Sequence, residues 1–72
     1  MLILTKHSRD RIRERSISQR GLRRAIIEAL RRHKTRRRVV SLELSGAYEG
    51  VVAVCEVSRY VIRVITVYRK GF

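Results

Sequence analysis

The chain has no proline, no tryptophan, one cysteine and only 6 acidic residues in 72. Each shortage excludes something. With Cys55 alone, neither an intrachain disulfide nor a Cys-rich zinc site can form. Without proline or a Gly/Ser-rich stretch, no linker divides the chain, and 72 residues suffice for one domain only. A domain this small buries about 60% of the surface of its unfolded chain, too little to wall off a large cofactor cavity. No apolar run approaches the roughly 18–20 residues of a membrane span. The opening MLILTKH has no basic region ahead of its short apolar stretch, so it does not read as a signal peptide, and a cytoplasmic location is expected. A zinc-finger pattern, an aromatic RNA-recognition strand and a Gly-rich phosphate loop are all missing.

What is abundant is positive charge. The chain holds 18 basic residues, 15 of them Arg, giving a net charge of +12 and a pI near 11.6. Residues 1–40 carry 14 basic and 3 acidic residues; residues 41–72 carry 4 and 3. Ion-pair networks need both signs, and the first half is nearly unopposed. Self-repulsion of this size destabilises a small domain unless a polyanion offsets it. DNA, RNA or an acidic protein is therefore the expected partner. The preference for Arg over Lys suits phosphate, because a planar guanidinium matches its oxygens and also stacks on bases.

Thr5 can cap a first helix running to about Arg15, with Ile12 as its apolar anchor. Ser16-Ile17-Ser18 interrupts it. Ser18 then caps a second helix from about Gln19 to His33, with Ile17 as a hydrophobic staple. Leu22, Ala25, Ile26, Ala29 and Leu30 share one side of that helix, and Arg20, Arg24 and Arg31 share the opposite side. Gly21, a poor helix former, falls in the tolerant first turn. Asp10–Arg13, Arg11–Glu14, Arg24–Glu28 and Glu28–Arg32 have the spacing of surface ion pairs. Three strands follow, over 38–44, 51–57 and 60–69, with a two-glycine turn at 45–50. Residues 1–4 can add a short edge strand. The fold expected is α+β, with two N-terminal helices packed on an antiparallel sheet of three or four strands. A helix-turn-helix is the alternative, because the 16–18 link is short and the second helix is basic.

His7, Arg11 and Arg15 recur every four residues and form a ridge along the first helix. In the last strand, strict alternation puts Thr66 and Tyr68 on one face with Tyr60, Ile62 and Val64. Imidazole, guanidinium, hydroxyl and phenol are the parts that metal-independent RNA cleavage needs: a base or acid, cations for the charged phosphorane, and an orienting group. The same residues have plainer uses, as caps and packing groups. His33 reads as a partner of the second helix's C-terminal dipole. Cys55 reads as a small core residue. Two isolated histidines do not make a metal site, and no cofactor is implied.

The segment LTKHSRDRIRERSIS, residues 4–18, resembles the opening of a family of small bacterial and archaeal domains of unknown function, typically T-x-H-A-x-x-R-M-x-x-R-x-I-S. VITVYR, residues 64–69, resembles that family's last strand. The resemblance implies the compact fold of RelE/ParE-type and BrnT-type toxins, with ribonuclease activity on RNA or the ribosome and a small antitoxin partner. It carries over to His7, Arg11, Arg15, Ile17 and Ser18, and to Thr66 and Tyr68. Ser8 stands where the family usually has Ala, Ile12 where it has Met, and Ser16 where Gly is frequent.

Two functions follow as expectations. One is a toxin-like endoribonuclease in which His7, Arg11, Arg15, Thr66 and Tyr68 act on the scissile phosphate. Arg20, Arg24, Arg31, Arg36, Arg37 and Arg38 would then track the backbone. The other is a non-catalytic DNA- or RNA-binding protein, or a module for an acidic antitoxin, using the same basic face. Neither membrane binding nor a particular oligomeric state is implied.

Overall fold

The computed structural model describes residues 1–33 and 37–70. Their order is β1 (Leu2–Leu4), α1 (Lys6–Glu14), α2 (Gln19–Arg32), β2 (Val39–Glu43), a short 3₁₀ turn (Gly46–Tyr48), β3 (Val51–Val57) and β4 (Ile62–Arg69). The sheet order is β1-β4-β3-β2. The expected α+β architecture is present, with one correction: the sheet is mixed. β2, β3 and β4 form the antiparallel meander, but β1 pairs with β4 in parallel. The two helices carry the chain from one sheet edge to the other, and this crossover lets β1 and β2 run in the same direction.

Both helices start where a hydroxyl can cap them. The Thr5 hydroxyl accepts from the Ser8 N–H at 3.1 Å, and the Ser18 hydroxyl accepts from the Gly21 N–H at 3.3 Å. α1 ends in a Schellman motif: Ser16 N–H donates to the Arg13 carbonyl, and Ile17 N–H to that of Ile12. This motif needs a left-handed residue, and Ser16 supplies it at φ 53°. A glycine would adopt this conformation without strain. Ser8 is fully buried. Its hydroxyl donates to the Thr5 carbonyl at 2.9 Å, so the small site tolerates a polar atom.

The core lies between the helices and one face of the sheet. Ile12, Leu22, Ile26 and Ala29 meet Leu4, Val40, Leu42, Ala53, Cys55, Val64 and Val67 there. At about 25 cal/mol per Å² of apolar area, this one layer supplies most of the drive to fold. Ala25 and Leu30 flank it, half-buried. Cys55 has no exposure, and burial pushes its thiol up to about 11, in keeping with a packing role.

A bulge in β4 overturns the expected strand faces. Val54 pairs with Thr66 and Cys55 with Val64, leaving Ile65 as an extra residue. The alternation therefore changes phase. Val64 and Val67, three residues apart, both point into the core, and Ile62 packs inward as well. Thr66 and Tyr68 lie on the outer face, opposite Val64. The first half of the expected strand shifts too, because β4 begins at Ile62 and Tyr60 sits in the preceding turn, exposed. The start of α1 is fastened to this bulge: Thr5 N–H donates to the Val64 carbonyl and its hydroxyl to that of Ile65.

Gly21 has a more specific explanation than tolerance. A Cβ there would lie 2.0 Å from the Tyr48 hydroxyl and 3.0 Å from its ring carbon. The 3₁₀ turn thus lays an aromatic side chain across the first turn of α2, and a glycine at this position spares the Tyr48 hydroxyl a shift.

Candidate nucleic-acid interface

The buried sides of the helices face the sheet, so their opposite sides face outward together. On α2 the inward residues are Leu22, Ile26 and Ala29. Arg20, Arg24 and Arg31 stand exposed half a turn away, with Ile27 among them at 40% exposure. Gln19, Arg20, Arg23, Arg24, Ile27, Glu28 and Arg31 lie together along this side. On α1 the outward residues include Lys6, Arg9 and Arg13, all exposed. These three lie off the ridge of His7, Arg11 and Arg15. The outward side of α1 was legible from Ile12 and helical spacing.

Few of these cations are neutralised. Among the described residues there are three ion pairs: Arg11–Glu14 at 2.8 Å, Arg63–Glu56 at 3.9 Å and Lys70–Glu43. Of the four pairs expected from helical spacing, only Arg11–Glu14 forms. Asp10–Arg13, Arg24–Glu28 and Glu28–Arg32 do not. The arginines have better options in water, where an exposed pair gains little against the entropy of ordering two long side chains. α2 therefore holds five arginines and one glutamate with no ion pair among the described residues. Two of the five are held by neutral partners, Arg23 by the Leu2 carbonyl at 2.8 Å and Arg32 by the Ser45 hydroxyl at 3.0 Å. Arg37 and Arg38 are exposed beyond the helix, and Arg36 lies outside the described residues.

The residues of the expected cleavage site lie on two elements, α1 and β4. His7 is exposed on a flank of α1, and among the described residues no hydrogen bond joins it to Thr66 or Tyr68. Thr66 and Tyr68 leave the sheet from its outer face. Along the ridge, Arg11 is paired with Glu14, while half-buried Arg15 keeps a buried Nε with no partner. Tyr68 instead lines an open groove of about 620 Å³ at the β2 edge with Arg32, His33, Ser41, Glu43, Ser45 and Lys70. Sequence spacing could not find this grouping, because it joins the end of α2 to the far ends of β2 and β4. There the Glu43 hydrogen bond and charge hold the Lys70 ammonium above its usual pKa.

Among the described residues, no cluster of three or more His, Cys, Asp or Glu stands ready for a metal, and no helix is long and apolar enough to cross a membrane. Compared with known families, curated proteins and solved structures, the chain finds no match in any of the three.

Proposed function

We propose that the protein binds nucleic acid through its helical layer. One observation carries this reading: the outward arginines of α2 stay unpaired while Glu14, Glu43 and Glu56 take partners elsewhere in the same small molecule. A solvated surface selected only for solubility would balance its acids against its bases, whereas α2 carries five arginines against one glutamate. Phosphates supply the missing counter-charge and, by displacing condensed cations, make binding strongly salt-dependent. Fluorescence anisotropy with labelled 20-nucleotide single strands and 20-base-pair duplexes tests the reading. It requires binding at low salt that weakens steeply as salt rises. No binding of any nucleic acid at low salt would end it.

A second reading, a toxin-like endoribonuclease acting on RNA or the ribosome, draws support from two features. The unpartnered Arg15 Nε lies on the ridge of His7 and Arg11, and the β2-edge groove gathers His33, Arg32, Lys70 and Tyr68. In either place an imidazole can exchange the proton while cations hold the phosphorane. Incubation with total RNA in EDTA separates the possibilities. Cleavage lost in His7→Ala supports the ridge, and cleavage lost in His33→Ala supports the groove. RNA left intact by the wild type leaves binding as the function. An acidic antitoxin would occupy the same arginines and compete with nucleic acid for them.

A further inference from the structure

We infer that α2 is a reading helix for duplex DNA, contacting base edges in the major groove as well as phosphates. This rests on the nucleic-acid reading above and narrows its ligand. Three observations carry it.

The first is composition. A surface that only gripped phosphates would gain nothing from an exposed isoleucine and would lose affinity through a carboxylate. Yet Ile27 and Glu28 sit in the middle of the outward side of α2, between Arg24 and Arg31. Glu28 has Arg24 four residues before it and Arg32 four after, and among the described residues it pairs with neither. Its carboxylate stays available to accept from the amino group of cytosine. Ile27 offers an apolar contact for a thymine methyl, and the arginines match the acceptor pair of guanine. Donor, acceptor and apolar groups alternate along one helix side, as a base-edge code needs.

The second is size. Arg20 to Arg31 spans eleven residues, about 17 Å along the helix axis. That is the length of roughly five base steps. A helix about 10–12 Å across fits the B-form major groove, which is about 12 Å wide. The deep, narrow major groove of A-form RNA does not admit one.

The third is where the aromatic residues lie. Single strands are held largely by bases stacking on aromatic rings. Tyr48 is committed to Gly21, Tyr60 carries Arg59 at 5.6 Å from its ring centre, and Tyr68 is on the outer sheet face. Among the described residues, no aromatic side chain stands on the outward side of α2.

The test is selection of binding sites from a random duplex DNA library, followed by competition between the selected duplex, a scrambled duplex, the matching RNA duplex and single-stranded RNA. The selected DNA should bind about tenfold or more tighter than the scrambled one. Glu28→Gln and Ile27→Ala, both at exposed positions, should reduce that ratio to within about threefold while the salt slope stays unchanged. Equal binding of selected and scrambled DNA would overturn the inference and leave purely electrostatic binding. Tighter binding of either RNA would overturn it in favour of an RNA ligand. Failure of every nucleic acid to bind would remove the reading beneath it as well.

Discussion

The two outer surfaces of this small domain solve the charge problem in opposite ways. The outward side of the helices carries Lys6, Arg9, Arg13, Arg20, Arg24 and Arg31, none in an ion pair among the described residues. The outer face of the sheet holds Arg63 with Glu56 and Lys70 with Glu43, set among Val39, Val52, Val54 and Tyr68. Both surfaces belong to one chain of net charge +12, so overall charge does not account for the contrast. The difference teaches that position in the fold, and not the count of arginines, decides which cations find a carboxylate.

The comparison breaks most sharply in stability. Leu22 is fully buried beneath α2, whereas Val39 on the sheet's outer face is 49% exposed. Leu22→Ala should lower unfolding free energy by about 2–5 kcal/mol in urea titration. Val39→Ala should stay within about 0.5 kcal/mol. Similar losses from both would mean that the outer face is also a core.

A pH titration sharpens the contrast next, because the inner sheet face carries a buried acid that the outer face lacks. The Cys55 thiol is pushed up from 9.0 to about 11 in the folded chain. Below its unfolded value both states hold the proton and the group is neutral to folding equilibrium. As pH rises from about 9 toward 11, the unfolded thiol ionises first and stability falls, by about 2 kcal/mol. Cys55→Ala should remove that part of the alkaline slope, read by urea unfolding at pH 8 and pH 10.5. An identical slope in the variant would place the cause elsewhere.

The turn between the helices should respond in the other direction. Ser16 occupies a left-handed conformation at φ 53°, which costs a residue with a Cβ roughly 1 kcal/mol. Ser16→Gly should raise the thermal midpoint, with a gain of up to about 1 kcal/mol, and leave nucleic-acid affinity unchanged.

The smallest effect concerns the contact between α2 and the 3₁₀ turn. Gly21→Ala gains about 1 kcal/mol of helix propensity but meets the Tyr48 hydroxyl. The substitution should therefore stabilise less than its propensity. In the Tyr48→Phe background, which removes the closest atom, it should recover a few tenths of a kcal/mol. Additive effects in the double-mutant cycle would show that the contact is not what selects glycine.

Much of the fold was legible because its signals are local. Thr5 and Ser18 announce the two helix starts, Ile12 and the Leu22–Ile26–Ala29 spacing announce the buried sides, and the β-branched runs announce the meander. What escaped depends on pairing across the sheet. Nothing in Val64-Ile65-Thr66 marks the bulge, so strict alternation places Thr66 and Tyr68 on the face of Val64, where the sheet does not put them. The parallel pairing of β1 was hidden for the same reason, since a three-residue strand does not encode its direction. The outward arginines of α2 were legible from helical spacing. The groove shared by His33 and Tyr68 was not, because it joins the end of α2 to β2 and the end of β4, far apart in sequence.

The most direct test of the central claim is the salt dependence of nucleic-acid binding in a variant carrying Arg20→Ala, Arg24→Ala and Arg31→Ala, beside Arg63→Ala from the paired outer face. Each phosphate contact adds about 0.9 to the slope of log affinity against log salt on B-form DNA. The triple variant should lose roughly 2–3 from that slope and bind at least about a hundredfold more weakly at low salt, while Arg63→Ala matches the wild type. An unchanged slope in the triple variant, or an equal loss in Arg63→Ala, would contradict the assignment of the helical layer as the anion-binding surface.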